Sequence, residues 1–391
     1  MFNIKELAEK YYPEYQRIRE HMHQYPEVAN EEVETQKFIE AELDKLGIPH
    51  QRMYNTGVVA LIEGGKPGKT VLLRADIDAL PINEECDVDY KSKKPGYMHA
   101  CGHDGHTAGV FAAAMILNEI KDELCGNVKL MFQPAEETDG GALPMIEAGI
   151  LENPKVDAAF GVHLWGPLPY GKVFFRDGAM MAAPDQFTIK IIGKGCHAAM
   201  PHLGIDPVMI AADALQQFQE IVSRKVNPLT PVVISTGVIQ GGTTFNVIPQ
   251  EVMLNGTVRS FDPVIRKKLP EYMEDVLKGL SLTNKSEYTF DYEYRYPPVI
   301  NNKEMNELAK VSLAKIIGQD NIKELEEPNM GGEDFAYLCE AVPSSFMFVG
   351  IHKEGEPQPV HHHPEFGFDS EILKVTGAGF AQIAVDFLNG Q

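Results

Sequence analysis

Residues 98–108 concentrate side chains that can bind a metal ion or transfer protons. The stretch contains one thiol, one carboxylate, three imidazoles and two glycines, namely Cys101, Asp104, His99, His103, His106, Gly102 and Gly105. Thiolates and imidazoles are ligands for transition metals, and the glycines allow the backbone to turn tightly enough for neighbouring ligands to converge. We expect Thr107 to cap an apolar helix over residues 108–117, so that the ligands lie in the loop before this helix.

The same residues also permit a different chemistry. Cys101 could be a nucleophile, with His103 or His106 as the base that activates it, which would make the protein a thiol hydrolase. The alternatives differ in what the rest of the chain must provide, because a metal enzyme needs further ligands and a separate base.

Three apolar segments, residues 70–74, 128–132 and 158–165, are predicted to be buried strands that lead into polar side chains. Those side chains are Asp76, Asp78, Glu136, Glu137 and His163. Sites in open α/β sheets collect at the carboxyl ends of strands, so we expect these groups to lie close together. Of two adjacent carboxylates, one can bind metal while the other transfers a proton. Capping of the following turn is the alternative role for the aspartates.

Two histidine-containing loops are further candidates. Three consecutive histidines, His361, His362 and His363, stand before a proline and far from either end of the sequence, so we expect a ligand among them rather than a purification tag. The glycine-rich segment 193–202 contains His197 and His202, and a polar turn is its alternative interpretation.

Two polar residues downstream are candidates for substrate binding. Asn246 follows a glycine- and threonine-rich segment, and Arg259 lies at the end of a predicted long strand. An arginine there could bind a carboxylate through two parallel hydrogen bonds. A surface salt bridge is the alternative role for Arg259.

The predicted order of elements changes between residues 184 and 297. Strands at 186–192, 232–239, 251–261 and 288–296, with helices at 207–226 and 263–280, form the βαββαβ order of a ferredoxin-like domain. We therefore expect an α/β protein with a catalytic domain made of residues 1–183 and 298–391, interrupted by an inserted domain at 184–297. Residues 3–24 and 31–46 are predicted to be amphipathic helices of the first part.

Composition excludes several classes of function. The formal net charge of −21 argues against nucleic acid and anionic membranes as partners. Five widely spaced cysteines do not form a disulfide framework, which favours a reducing compartment. We see neither a signal-peptide core nor an apolar run long enough to span a bilayer, and we expect a cytoplasmic protein.

Taken together, the motifs resemble those of the metal-dependent aminoacylase and carboxypeptidase amidohydrolases. The resemblance is to the branch that contains hippurate hydrolases, indoleacetyl-amino-acid hydrolases and N-acetyldiaminopimelate deacetylases. Its motifs run in order from residue 74 to 366: Arg-Ala-Asp-Ile-Asp-Ala-Leu, Met-His-Ala-Cys-Gly-His-Asp-Gly-His, Gln-Pro-Ala-Glu-Glu, Gly-Val-His, Gly-Lys-Gly-Cys-His-Ala-Ala-Met-Pro-His, Asn-Val-Ile-Pro, Gly-Gly-Glu-Asp-Phe and His-His-Pro-Glu-Phe.

The resemblance implies a site for two divalent metal ions in a mixed-sheet, peptidase-like catalytic domain. Its implied ligands are Cys101, His103, Glu137, His163 and His362, with Cys101 as the bridge between the ions. His362 is chosen because the ligand of the family stands two residues before the proline. Zinc, cobalt and manganese are all compatible with this set of ligands.

The resemblance also implies roles for residues around the metals. Glu136 would be the general base, and Asp76 would orient one of the ligands. His197 would reach the active site of a partner subunit and stabilise the oxyanion, which requires a homodimer, or a dimer of dimers, built through the inserted domain. Asn246 and Arg259 would bind the substrate, with His202 as an addition.

The function implied in this way is hydrolysis of N-acyl amino acids to a carboxylic acid and a free amino acid by a metal-activated water. A dipeptidase of the same chemistry, a Cys101 thiol hydrolase and a metal-binding protein without catalysis are the alternatives. The pair Glu136–Glu137 argues against the last of these, because metal binding alone needs no free base. The sequence does not define the acyl group or the amino acid that is released.

Overall fold

The computed structural model describes residues 3–390, and these pack as two compact units. The first unit holds the chain up to Gly178, the segment Ile300–Glu327 and the chain from Asp334 onward. The second unit holds Ala179–Val299 and Pro328–Glu333, and so contains the segment 184–297 that was predicted to be an insertion.

Both units contain helices and strands. The helices are α1 Ile4–Gln24, α2 Val33–Leu46, α3 His103–Glu119, α4 Ala142–Glu147, α5 Pro207–Glu220, α6 Pro263–Asn284, α7 Lys303–Ile317, α8 Ala336–Ala341 and α9 Leu373–Leu388. The strands are β1 His50–Arg52, β2 Val58–Glu63, β3 Lys66–Asp76, β4 Cys125–Gln133, β5 Ala158–Pro169, β6 Val173–Phe175, β7 Gly178–Met181, β8 Ala183–Ile192, β9 Cys196–His197, β10 Val232–Gly241, β11 Val247–Ile248, β12 Glu251–Ser260, β13 Glu287–Glu293, β14 Val299–Asn301, β15 Ile322–Glu324 and β16 Ser344–His352.

An eight-stranded mixed sheet forms the centre of the first unit. Its strand order is β1-β2-β4-β3-β5-β16-β6-β15, and the central strands β4, β3, β5 and β16 are parallel to their neighbours in that group. β3 ends at Asp76 and β4 ends at Gln133, so the polar residues that follow them are delivered to one edge of the sheet. This mixed α/β architecture confirms the predicted fold class.

Helix α3 packs inside the first unit rather than on its surface. Every residue from His103 to Leu117 is buried, and the helix contacts α1, α9 and β3. A helix that is buried on all sides must be apolar all round, which the alanine-rich segment 108–117 satisfies. The polar residues at the start of α3 are therefore held in a rigid, largely dry environment.

The second unit has the predicted ferredoxin-like order of elements. Its four-stranded sheet is antiparallel throughout, in the order β10-β12-β8-β13. Side chains from the sheet, α5 and α6 share one core, which includes Phe187, Phe218 and Leu277. β10 and β13 are the edge strands, and the β9–β11 pair forms a separate two-stranded ribbon.

No helix within residues 3–390 combines the length and apolar character that crossing a bilayer requires.

Candidate metal centre

The start of helix α3 differs from the sequence prediction. We predicted a helix from residue 108 capped by Thr107, but α3 begins at His103, and Gly102 precedes it in the left-handed conformation with a φ of +95°. A side chain at this φ would be strained, so glycine suits the turn between Cys101 and His103. Thr107 does not cap the helix, because its hydroxyl donates to the carbonyl of Asp76 instead, at 3.0 Å.

Cys101, His103 and His163 form one potential group of metal ligands. One ligand atom from each lies within 4.8 Å of the others, and all three residues are buried. The Sγ atom of Cys101 is 3.5 Å from Nε2 of His163. Nδ1 of His163 donates to the carbonyl of Leu164 at 2.8 Å, so the lone pair on Nε2 is directed toward the thiol.

Cys101, Glu137 and His362 form a second group of the same kind, and Cys101 is common to both groups. Nε2 of His362 lies 3.2 Å from Oε1 of Glu137. His362 adopts a positive φ of +59°, and this turn aims its imidazole at the cluster.

The other two histidines of the run have different surroundings. Nε2 of His361 accepts a hydrogen bond from the backbone N–H of Gly166, and its Nδ1 lies 4.0 Å from Cys101 Sγ. His363 is exposed, and its Nδ1 accepts from the backbone N–H of Glu365. Of the three, His362 is therefore the one whose imidazole faces Glu137.

Asp78 contacts two of the predicted ligands. Nδ1 of His103 is 2.9 Å from the carbonyl oxygen of Asp78 and 3.2 Å from its Oδ1, while Oδ2 of Asp78 accepts from the backbone N–H of Glu137. Asp78 is thus the carboxylate that orients His103. The sequence indicated it only as one of two aspartates after β3.

Asp76 lies between Arg74 and two histidines of α3. Its Oδ2 accepts from Arg74 and is 3.8 Å from Nε2 of His103. Its Oδ1 is 2.7 Å from Nδ1 of His106, whose Nε2 accepts from the backbone N–H of Leu164. Both nitrogens of His106 are therefore used within the protein, and His106 is not available as a ligand in this arrangement.

Glu136 lies beside the candidate ligands. Its side chain is buried, with a relative exposure of 7%. One of its carboxylate oxygens lies within 4.8 Å of ligand atoms of both His103 and Glu137. A carboxylate in this position is close enough to exchange a proton with a water molecule held at the same place.

Electrostatics within the cluster affect the Cys101 thiol and the His163 imidazole in opposite ways. Burial raises the pKa of the Cys101 thiol well above its ordinary value, and the nearby carboxylates Glu137 and Glu136 raise it further. Burial lowers the pKa of His163 well below its usual range, and His106 and His361 add to this effect. A neutral His163 is suited to coordination, whereas a thiol in such surroundings is a poor nucleophile without a bound cation.

Two unsatisfied atoms test whether the cluster fits metal ions. Nε2 of His103 and Oε1 of Glu137 are buried and have no hydrogen-bond partner among the described residues. Buried polar atoms are nearly always satisfied, and both of these are atoms that bind divalent metals. These two ligand atoms lie 3.8 Å apart and make no hydrogen bond within the protein, although Oε1 of Glu137 is also 3.2 Å from Nε2 of His362. Unbonded ligand atoms that meet in one region are what a metal centre requires.

The remaining predicted residues, His197, His202, Asn246 and Arg259, belong to the second unit. His197 lies on β9, where it pairs with Val247 of β11, and the backbone N–H of Ala198 donates to the carbonyl of Asn246. His197 and Asn246 are therefore held on the same ribbon. Arg259 lies on β12, and its side chain forms no hydrogen bond or salt bridge in the described part of the chain.

The chain is similar to several known proteins. Residues 72–384 match the model of "Peptidase family M20/M25/M40". The chain is 44% identical to the N-acyl-L-amino acid amidohydrolase of Geobacillus stearothermophilus, over 77% of this chain and 81% of that protein. It is 41% identical to the N-acetyl-L-cysteine deacetylase of Bacillus subtilis, over 91% and 84% of the two chains.

A solved structure is also similar over nearly the whole chain. It is that of the Bacillus subtilis YXEP protein, described as a dinuclear metal-binding peptidase of the M20 family. The TM-score is 0.85 at 35% identity, with 97% of this chain and 99% of that one covered. The similarity therefore covers both units.

Proposed function

Because the chain belongs to peptidase family M20/M25/M40, we propose that it is a metal-dependent amidohydrolase that cleaves N-acyl amino acids to a carboxylic acid and a free amino acid. The observation that carries the proposal is the pair of ligand groups that share Cys101, with Glu136 beside them. Relatives that act on N-acyl-L-amino acids and on N-acetyl-L-cysteine support the substrate class.

The ligand set fits two divalent ions. His103 and His163 would hold one ion, Glu137 and His362 the other, and Cys101 both. We propose zinc, cobalt or manganese, since thiolate favours the softer ions while imidazole and carboxylate also accept manganese. When bound, such ions lower the pKa of a coordinated water from 15.7 to about 7.

Glu136 would carry the proton through the reaction. It would accept a proton from the attacking water as the amide carbonyl is attacked, and then donate it to the leaving amine. Its burial among Glu137 and His103 supports this role, because proximity to the reacting atoms is the first requirement of a general base.

Residues of the second unit would bind the substrate. His197 would donate to the oxyanion, Asn246 would contact the substrate, and Arg259 would bind the carboxylate of the amino-acid part. Burial lowers the pKa of the Arg259 guanidinium, and its lack of an ion-pair partner in the described residues leaves its donors available for an anion.

We further propose that the protein forms homodimers, or pairs of dimers, through the second unit. The edge strand β10 carries two exposed apolar residues, Val238 and Ile239, and the nearby Phe245 is 97% exposed. An unpaired edge strand with apolar side chains is a surface on which a second chain can add. We also propose a cytoplasmic location, which the five free thiols support.

The thiol-hydrolase alternative is disfavoured by the surroundings of Cys101. Its thiol is buried next to two carboxylates, and this arrangement raises its pKa instead of lowering it. A cysteine nucleophile needs the opposite environment.

A substrate panel tests the proposed function. N-acetyl, N-benzoyl and indoleacetyl amino acids and several dipeptides would be incubated with the protein loaded with zinc, manganese or cobalt, and again after chelation. We expect metal-dependent release of an amino acid, and Glu136→Gln should keep its metals but lose about 100-fold or more in turnover. Turnover that resists chelation and stops with a thiol reagent would contradict the proposal, as would full activity of Glu136→Gln.

A further inference from the structure

His361 lies beside the thiol of Cys101, and its two ring nitrogens have different partners. Nε2 is 2.9 Å from the backbone nitrogen of Gly166, and Nδ1 is 4.0 Å from Cys101 Sγ. A backbone N–H can only donate, so Nε2 must accept with its lone pair. The ring is therefore neutral with its proton on Nδ1, and this N–H faces the sulfur.

The neighbouring residues fix the ring in this orientation. Its centroid is 4.9 Å from that of Trp165, 4.9 Å from that of Phe366 and 5.3 Å from that of His163. A Cβ atom on residue 166 would lie 2.0 Å from the carbonyl oxygen of Pro359. Only glycine therefore allows the backbone N–H at this position to approach the ring so closely.

The charge near Cys101 explains how an N–H donor from His361 would affect the sulfur. The thiolate would share its surroundings with the carboxylate of Glu137, one of whose oxygens lies within 4.8 Å of the sulfur. The Nδ1–H group of His361 belongs to a neutral ring and faces the same sulfur at 4.0 Å. A hydrogen bond from a neutral donor to an anion is stronger than one between neutral groups, and it withdraws charge from the thiolate without competing for the metal.

We propose that His361 is a positioning residue that donates its Nδ1–H to the Cys101 thiolate and thereby sets the strength of this shared metal ligand. The inference rests on the proposed function, in which Cys101 binds both ions. It adds a role for the first histidine of the His361–His363 run, which is distinct from the ligand role proposed for His362. Partners of this kind typically change metal affinity 10–100-fold when they are removed.

Three substitutions separate the two contacts of His361. His361→Asn places an amide N–H near the position of Nδ1 and so keeps a donor for the sulfur. His361→Gln places its amide near the position of Nε2 and keeps a partner for Gly166 only. His361→Leu removes both contacts, and His363→Leu is the matched control because His363 is exposed in the same loop.

The experiment loads each variant with cobalt(II) and records two quantities, the energy of the thiolate-to-cobalt charge-transfer absorption and the affinity for cobalt. Loss of the donor makes the thiolate richer in electrons, so His361→Leu and His361→Gln should shift the absorption to lower energy. They should also change the affinity for cobalt about 10-fold. His361→Asn and His363→Leu should resemble the wild type in both quantities.

Two results would overturn the inference. One is a wild-type absorption energy and affinity in both His361→Gln and His361→Leu. The other is a wild-type absorption energy and cobalt affinity in His361→Gln but not in His361→Asn. This result would show that only the contact with Gly166 matters. This comparison remains decisive if His361→Leu does not fold.

Cys101→Ser separates this inference from the proposed function. If the wild type shows a charge-transfer absorption that Cys101→Ser abolishes, Cys101 is a ligand, and unchanged His361 variants would then reject the role of His361 alone. If the wild type shows no such absorption, the ligand role of Cys101 fails, and the inference about His361 fails with it.

Discussion

Asp78 links two candidate ligands through one buried carboxylate. Its Oδ1 lies 3.2 Å from Nδ1 of His103, and its Oδ2 accepts from the backbone N–H of Glu137 at 3.0 Å. The same side chain therefore orients an imidazole on α3 and positions the loop after β4 that carries Glu136 and Glu137. Side chains that hydrogen-bond to metal ligands without binding the metal determine how the ligand atoms are oriented.

Removing the Asp78 carboxylate should loosen the metal centre. We expect Asp78→Ala to fold and to bind zinc about 10–100-fold more weakly than the wild type, because His103 and Glu137 lose a common support. Competition with a chromophoric chelator measures this affinity. Asp87→Ala, at an exposed position, is the control, and equal zinc affinity in Asp78→Ala and the wild type would contradict the role of Asp78.

The types of the site residues could be predicted from the sequence, but some of their contacts could not. Metal-binding residue types recur at the ends of predicted strands and loops, and the resemblance to the amidohydrolase family implied the set Cys101, His103, Glu137, His163 and His362 among them. Asp78 and His361 each lie within two residues of another candidate. Which member of such a pair faces the cluster depends on the backbone φ and on neighbours far away in the sequence, and spacing does not contain that information.

At the scale of elements, a buried charge network joins α1 to the start of α3. Asp104 accepts from Arg19 at 3.2 Å and from Nδ1 of His23 at 2.9 Å, and Nε2 of His23 is 3.1 Å from Glu84. Burial on its own would lower the pKa of His23, but the hydrogen bonds to Asp104 and Glu84 outweigh it and raise the pKa to about 9. The network holds the helix start that carries His103 against α1.

This network predicts a pH dependence of stability. Because the pKa of His23 is higher in the folded than in the unfolded protein, its stabilisation is fully present below about pH 6.5 and is lost as the pH rises through about 9. The wild type should therefore exceed His23→Gln in free energy of unfolding at pH 6 by on the order of 3 kcal/mol, and by less at pH 10. Urea unfolding at both pH values measures this difference.

The control for this prediction is His50→Gln, which removes an imidazole from β1, outside the network. It should not change the pH dependence of unfolding. A stability difference between the wild type and His23→Gln that is the same at pH 6 and pH 10 would contradict the account.

The elements themselves were predicted with uneven success, for a physical reason. β3, β4 and β5 are continuous apolar runs, and α1 has an amphipathic helical pattern, so their cores were located correctly. The first turn of α3 was missed because its residues are polar, and they are buried only through partners on other elements, such as Asp76 and Arg19. Local periodicity cannot reveal burial of this kind.

For the molecule as a whole, the proposed mechanism requires a second copy of the chain. His197 and Asn246 lie on the β9–β11 ribbon of the second unit. In the four-stranded sheet of the same unit, the edge strand β10 exposes Val238 and Ile239. If dimers form along this edge, each active site would contain residues from both chains. Activity would then require assembly as well as metal.

A charge on the edge strand should separate the subunits. We expect Ile239→Asp to be a folded monomer with about 100-fold lower turnover, because an unpaired charge is costly in an apolar interface and each site would lose a donor to the oxyanion. Light scattering gives the mass, and the substrate panel gives the activity. Leu282→Asp, at an 84% exposed position near the end of α6, should remain dimeric and active, and a fully active monomeric Ile239→Asp would reject assembly as a requirement.

A titration of the metal-free protein with zinc or manganese can show whether the chain is a two-metal amidohydrolase, if bound metal and hydrolysis of an N-acyl amino acid are followed in the same samples. We expect two ions bound per chain, no activity without metal, and full activity only when both ions are bound. Full activity in the metal-free protein, or saturation at one ion per chain, would contradict this expectation.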